Sequence, residues 1–373
     1  MMAWRLIHRA MNSTPGRKGY GGAWGRGPAG DARPELAHRG GPTARYHPAM
    51  QRGTSWVWLV FLTLGFLWGS SYLWIKIGLE GGLPPLTLIA GRLSLGALFL
   101  VTVVALARQE LPRSRRMYGH LLVMAIVNIV LPFILITVGE QSIDSALASI
   151  LNATVPLTVI VLAPMFLPDE RITLPRIAGL AVGFAGVILL VAPDLVNLSD
   201  SDLTGELMML GSSIAYGVGN VYARRNVHGL RPMIPALFQV SFAAAIVVPL
   251  ALVVDHPFSD VHPTPGAFLA VAWLGILGSG FAYLCYFTLL QRWGATRTSM
   301  VAYLLPVVGI VLGALVLGEP ITLNRIGGTL LVIAGIALVN SGSALRRIRG
   351  QSGEREQVPA AVPESEAQAE RGA

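Results

Sequence analysis

Apolar runs of about 20 residues, the length a helix needs to cross a hydrocarbon core, recur ten times along this 373-residue chain. They fall near 56 to 77, 86 to 107, 118 to 138, 143 to 167, 175 to 193, 203 to 223, 234 to 254, 266 to 288, 296 to 318 and 322 to 342. A bilayer core offers no water to unpaired N–H and C=O groups, and a helix satisfies them within one segment. The expected fold class is therefore an all-α integral membrane protein of ten transmembrane helices. Composition agrees, with 53% hydrophobic and only 13% charged residues, against roughly 25% charge in a soluble domain.

Charge is placed unevenly. Residues 1 to 55 hold nine Lys/Arg against Asp31 and Glu35, a net +7, while 341 to 373 hold five Arg and five Glu. The N-terminal segment is rich in Gly, Pro and Arg, lacks amphipathic period and lacks the apolar stretch of a cleavable signal. It reads as a disordered basic tail rather than a nucleic-acid-binding arm. Met50 stands just before the first span, and a start there is an equally good reading of the first 49 residues. The one cysteine, Cys285, lies inside a span and reads as a small core hydrophobe. Short connections carry Lys/Arg on the cytoplasmic side. With the N-terminus inside, Arg108, Arg113, Arg115, Arg116, Arg171, Arg176, Arg224, Arg225, Arg231, Arg292 and Arg297 gather on inner connections, and Glu80, Glu140, Asp144, Asp255 and Glu319 gather at outer ends. Both termini are expected in the cytoplasm, with the chain crossing the inner (plasma) membrane many times.

The chain also repeats itself. "DERITLPRIAG" (169 to 179) returns as "GEPITLNRIGG" (318 to 328), with Glu170, Ile172, Thr173, Arg176 and Gly179 matching Glu319, Ile321, Thr322, Arg325 and Gly328 at a spacing of 149. Pro156 pairs with Pro306, Gln141 with Gln291 and Phe133 with Tyr283 at a spacing of 150, and "WGSSYLWIK" (68 to 76) pairs with "YGVGNVYAR" (216 to 224) at 148. Each copy is five helices long. Five is odd, so the second copy is expected to enter the membrane from the opposite side, as an inverted repeat. Two such copies can exchange conformations about a central site, which is how alternating access arises in secondary transporters.

These residues resemble the drug/metabolite transporter superfamily, specifically its EamA-type members. The resemblance spans about residues 56 to 342 and rests on "WGSSYLWIKIGL", "PLTLIAGRLSLGAL", "SALASILNATVPLTVIVL", "GEPITLNRIGG" and "VIAGIALV". It implies a ten-helix carrier of small metabolites, often outward, with no ATP-hydrolysing subunit. The domain plan is a tail over 1–55, EamA-like repeats over 56–193 and 203–342, and a disordered cytoplasmic tail over 343–373. The expected partners are a small-molecule substrate and the lipid bilayer, with no nucleic acid and no cofactor.

Polar residues at membrane depth are the site candidates, because they face the bundle interior or a wet cavity. The fourth span sets Ser145, Ser149, Asn152 and Pro156 on one helical face. The ninth sets Thr296, Ser299, Tyr303 and Pro306 likewise. Pro156 and Pro306 fall mid-span, remove a helix donor there and are candidate hinges. Trp68, Tyr72 and Lys76 stand four apart, as do Tyr216, Asn220 and Arg224. The aromatics can stack on a substrate, while for Lys76 and Arg224, near opposite faces at span ends, snorkelling is the ordinary explanation. Arg92 lies inside the second span, with Gln239 its repeat counterpart at a spacing of 147. It suits a substrate carboxylate or phosphate, or pairing with a carbonyl, Glu140 or Glu80. Asn128, Pro132 and Phe133 in the third span and Ser279, Tyr283 and Tyr286 in the eighth suit an apolar pocket with few polar groups. The same Ser, Thr and Asn residues also suit helix–helix adhesion, and the GxxxG spacings at Gly65/Gly69, Gly179/Gly183 and Gly309/Gly313 suit close helix contact.

No Asp or Glu falls near the middle of a span, which favours facilitated diffusion or exchange over carboxylate-driven proton antiport. No phosphate-binding loop for ATP and no H-E-x-x-H spacing occurs, and the seven histidines lie in the tail, at a span entry or in connections. An integral membrane enzyme is thereby disfavoured, while a small-molecule sensor shares the pattern of a carrier. Labelling engineered sites in connections 196 to 202 and 226 to 230 from either face of the membrane checks the topology. The two are expected on opposite faces, and finding both on one face overturns the inverted repeat.

Overall fold

The computed structural model describes residues 54–166, 174–197, 200–227, 230–258, 262–298, 301–302, 304–335 and 337–338. Both tails, Ser299 and Tyr303 lie outside the described residues. The chain divides into a unit ending at Leu59, described only over the first turns of α1, and a unit from Val60 onward that holds everything below.

Among the described residues every regular element is helical. The elements are α1 (Thr54–Glu80), α2 (Pro85–Leu106), α3 (Arg115–Gly139), α4 (Ser145–Asn152), α5 (Val155–Phe166), α6 (Leu174–Asn197), α7 (Asp200–Asn226) and α8 (Met233–Val254). There follow α9 (Pro265–Ala272, continuing through Ala282–Thr298), α10 (Leu304–Leu317) and α11 (Leu323–Gly335). Among the described residues, six helices are long and apolar enough to cross a membrane: Trp56–Glu80, Pro85–Leu106, Arg115–Gly139, Ser145–Phe166, Met233–Val254 and Pro265–Leu290. Ile177–Leu190, Leu304–Leu317 and Leu323–Gly335 are shorter apolar helices. The expected span at 203 to 223 falls in α7, which carries Ser212, Ser213, Tyr216 and Asn220 and packs against α3, α4, α5 and α6. A helix covered by protein on several sides does not need lipid-grade apolarity.

Repeat-related positions share local structure. The α-helical winding of α3 opens to a π turn over Ile126–Val130, and that of α9 opens over Trp273–Phe281. Shifted by the repeat spacing of 150, the first segment lands inside the second. Packing is paired in the same way: α2 lies on α9, and α8 lies on α3. A methyl added at Gly69 on α1 would stand 2.6 Å from Val308 Cβ on α10, and one added at Gly217 on α7 would stand 2.5 Å from Thr158 Cγ2 on α5. Both members of each contact are repeat mates of the other. The GxxxG glycines do bring helices together, Gly65 and Gly69 against α10 and Gly309 against Ser149.

The prolines sit differently from the expectation of a mid-helix break. A turn at Ala153–Thr154 ends α4, and Pro156 falls in the first turn of α5, just as Pro306 falls in the first turn of α10. First-turn N–H groups have no intrahelical acceptor, so proline starts these helices at no loss. The fourth span is thus two helices, and the break is the turn itself.

Acidic side chains from distant connections close helix N-termini. Asp255 Oδ2 accepts from Thr87 N at 2.6 Å and Thr87 Oγ1 at 2.9 Å at the start of α2. Glu319 accepts from Ser145 N at 2.9 Å, Ser145 Oγ at 2.7 Å and Ala146 N at 2.9 Å at the start of α4. Negative charge there meets unpaired N–H groups and the positive helix end. Arg325 pairs with Asp144 beside it.

The closest backbone approach joins α6 to α11. A methyl at Gly335 would meet Gly183 N at 2.5 Å and Gly179 O at 2.6 Å, both main-chain atoms that cannot turn aside. Gly335→Ala should therefore lower the melting temperature of the purified protein, by overpacking worth about 1–3 kcal/mol. Gly119→Ala, where a methyl meets nothing within 4 Å, should leave it unchanged or raise it, since helical Gly costs roughly 0.5–1 kcal/mol relative to Ala. Equal effects at the two positions would refute the crossing.

Candidate functional site

Aromatic and polar side chains from α1, α2, α3, α4, α7, α8 and α9 converge inside the second unit. Two hydrogen bonds organise the centre. Arg92 Nε on α2 donates to Ser279 Oγ on α9 at 3.2 Å, and Asn128 Nδ2 on α3 donates to Gln239 Oε1 on α8 at 3.2 Å. Arg92 and Gln239 are repeat counterparts, and Asn128 and Ser279 occupy the two π turns. Each bond therefore joins one half of the chain to the other, and the pair follows the duplication. The widened turns expose main-chain groups and direct a polar side chain inward, a combination that recurs at functional sites.

Arg92 is only 4% exposed. Its guanidinium carbon lies 4.0 Å over the Phe133 ring, and it is within electrostatic range of Tyr216, Tyr283, Glu140 and Tyr72. No carboxylate hydrogen-bonds to it among the described residues, and Glu80, one of its two expected acidic partners, is exposed. A buried cation held by a hydroxyl and a ring keeps most of its charge available to another group.

A second cluster joins α1, α4 and α7. Asn152 Nδ2 donates to the Tyr72 hydroxyl at 2.5 Å, and Asn152 Oδ1 accepts from Ser212 Oγ at 3.1 Å and Ser213 Oγ at 3.2 Å. An aromatic group completes the surround. Trp68 packs on Tyr283 edge-on at 5.9 Å and on Tyr286 at 5.3 Å between ring centroids, and the Tyr286 hydroxyl donates to Asn220 Oδ1 at 3.3 Å.

Of the residues singled out from sequence, the fold brings together Trp68, Tyr72, Arg92, Asn128, Asn152, Tyr216, Asn220, Tyr283 and Tyr286. Ser149 lies apart: its hydroxyl donates back to Ala146 O at 2.7 Å, and the side chain packs on Gly309 of α10. Pro156 and Pro306 stand at helix starts, and Ser299 and Tyr303 are outside the described residues. Lys76 neither reaches the cluster nor snorkels, because its Nζ donates to Glu140 O and Ile143 O, each at 3.0 Å. Sequence reasoning passed over Ser212 and Ser213. The signal was present for Ser212, which extends the Tyr216–Asn220 stripe backward by the same step of four.

The EamA-like transporter family model matches this chain twice, over residues 55–192 and 203–341. An uncharacterised transporter of Bacillus subtilis, YoaV, is 27% identical over 283 residues, covering 75% of this chain and 95% of its own length. The uncharacterised inner membrane transporter YedA of Escherichia coli K12 is 30% identical over 288 residues, covering 76% and 90%. A Salmonella typhimurium protein named as a probable amino-acid metabolite efflux pump is 28% identical over 297 residues, covering 77% and 95%. A crystal structure at 21% identity shares the fold, with a TM-score of 0.59 over 76% of this chain and 98% of that one.

The Asn152 network separates orientation from folding. Ser212 also donates to Met209 O at 2.7 Å and Ser213 to Leu151 O at 3.2 Å, so both hydroxyls keep an acceptor when the amide is removed. Asn152→Ala removes the donor to the buried Tyr72 hydroxyl and should cost stability about 1–3 kcal/mol, while solute flux through reconstituted protein falls further than folded yield. Parallel losses of flux and yield would assign Asn152 to packing.

Proposed function

The chain belongs to the EamA-like transporter family, and we propose that it is a secondary carrier that exports small metabolites, amino acids or amphipathic compounds by alternating access. Ten spans in two inverted five-helix copies, with both termini in the cytoplasm of a cell bounded by the inner (plasma) membrane, give the frame for this cycle. The observation that carries the reading is the pair of repeat-related bonds, Arg92 to Ser279 and Asn128 to Gln239, which link the halves at the centre of the polar cluster. Rocking of one half against the other works on these bonds and on the small-residue contacts at Gly69 and Gly217, while the cluster stays between the halves.

The cluster fits a solute with an apolar body and a charged or polar head. Trp68, Tyr283, Tyr286 and Phe133 offer ring surface, Asn152, Asn128 and Asn220 offer amides, and Arg92 offers a cation suited to carboxylate or phosphate. The amino-acid metabolite named for the Salmonella relative has this make-up.

Untargeted counterflow tests the proposal. Vesicles holding the protein and an unlabelled cell extract are placed in a carbon-13-labelled extract, and trapped label is read by mass spectrometry. Labelled solutes should accumulate in these vesicles and not in protein-free ones. Arg92→Leu should slow that uptake about 10- to 100-fold, the worth of a charged hydrogen bond of about 1.5–3 kcal/mol. Solute binding without any counterflow would instead make the protein a sensor.

A further inference from the structure

Glu140 closes α3 at the end expected to face outward. At a helix end a carboxylate is ordinarily wet, and sequence position alone argued against a carboxyl at depth. In the fold Glu140 is 0% exposed, and among the described residues neither carboxyl oxygen has a hydrogen-bond partner. Three contacts explain this. Gly205 of α7 fits against the Gly139 carbonyl, where a methyl would stand 2.8 Å away. Lys76 reaches in from α1 but spends its ammonium on the main-chain oxygens of Glu140 and Ile143. The connection before α4 lies across the end, tied down by Glu319 on Ser145 and Ala146 and by Arg325 on Asp144.

The charged and titratable groups around it are therefore Lys76 and Tyr72 on α1, Arg92 on α2, Asp144 before α4, Glu206 on α7, and Glu319 and Arg325 from the far half. Asp144, Glu319 and Arg325 are engaged with one another's surroundings as above, and Glu206 is itself buried. Burial holds the Glu140 carboxyl well above the usual carboxylate range; Lys76 and Arg92 pull it down, and Glu319 pushes it further up. A carboxylate stripped of water and of donors is far costlier than its protonated form. A carboxyl kept for structure would take the ammonium that stands beside it.

We propose that Glu140 is a proton-binding site coupled to solute movement. It carries a proton in the conformation described here. When the Glu319 and Arg325 contacts part and water enters, the O–H bond breaks, the electron pair stays on the carboxylate and the proton passes to water. The carboxylate takes a proton from water again when the opposite side is open. Arg92 and Tyr72, both members of the cluster, are within electrostatic range of Glu140. The coupling rests on the carrier reading above, whereas the proton site itself stands on burial and geometry.

Two measurements separate these. Infrared difference spectra of the purified full chain, titrated through neutral pH without any solute, should show a protonated carboxyl band that is absent in Glu140→Gln. Counterflow of the carbon-13-labelled extract is then repeated with an imposed pH gradient. In the wild type a gradient of one pH unit should shift the steady-state ratio of transported solutes by about tenfold, as one proton per cycle requires. In Glu140→Gln the shift should vanish while gradient-free counterflow persists, which also reports that the variant is folded. Either sign of the wild-type shift supports the proposal and tells whether solute and proton move together or in exchange. No gradient effect in an active wild type overturns the coupling and leaves the carrier reading standing. An unchanged infrared band in Glu140→Gln overturns the site. Absence of all counterflow in the wild type overturns carrier and coupling together.

Discussion

Absence of water at bilayer depth governs this structure, because every departure from regular helix must find its partners inside the protein. Several departures among the described residues find such partners. The turn at Ala153–Thr154 is bonded within itself, Thr154 N to Leu151 O at 3.1 Å and Leu157 N to Thr154 O at 2.8 Å. The π turn of α3 carries Asn128, which finds Gln239, and that of α9 carries Ser279, which finds Arg92. The π turn that ends α10 over Gly313–Leu317 receives Glu319 N on Gly313 O at 3.1 Å. The Gly313–Leu317 turn is thus closed by main-chain atoms alone, whereas Asn128 and Ser279 use two other π turns to reach side chains of the opposite half. At those two turns the irregular backbone and the candidate site coincide.

Duplication gives that arrangement its second copy. Small residues at Gly69 and Gly217 let α1 approach α10 and α7 approach α5 in related ways. Association of helices in lipid draws on close van der Waals contact rather than on a hydrophobic drive. Such contacts are smooth compared with interlocked large side chains, and two equivalent ones allow the same packing to be loosened on either side. The copies are not identical where the solute would sit. Asn152 bonds Tyr72, whereas the repeat mate of Tyr72, Asn220, bonds Tyr286 instead. The frame follows the repeat, and the cluster breaks it.

Much of this was legible in the sequence, since apolar length, repeat spacing and stripes of four each depend on local order. Trp68, Tyr72, Tyr216 and Asn220 were placed by spacing alone, and Arg92 and Asn128 by being polar where lipid allows little polarity. What could not be read is whatever depends on a neighbour. Ser149 shares a face with Asn152, yet Gly309 of the other half turns it into a packing residue. Pro156 reads as a mid-span kink until a turn ahead of it makes it a helix start. The 203 to 223 stretch, expected as a span, falls in α7, which packs against α3, α4, α5 and α6 and carries Ser212, Ser213, Tyr216 and Asn220. Wetness is the least legible property of all: Glu140 and Glu319 both stand at span ends, and only the latter finds donors.

That contrast shows how charge is sorted at this end of the protein. Glu319 faces the open N–H groups of α4 and accepts hydrogen bonds from Ser145 and Ala146. Arg325 and Asp144 neutralise each other. Lys76 donates hydrogen bonds to the carbonyls of Glu140 and Ile143. Glu140, with no hydrogen-bond donor among the described residues, lies within electrostatic range of Lys76 and, more weakly, of Arg92, which has no carboxylate bonded to it. Coulomb energy between them varies inversely with the local dielectric constant, and so is several times larger here than in water. An anion arriving at Arg92 weakens the hold of that cation on an ionised Glu140 and so favours its protonated form; an ionised Glu140 in turn lowers the pull on an incoming anion. On the proposed carrier reading, occupancy of the cluster and protonation of the carboxyl act on one another through this field.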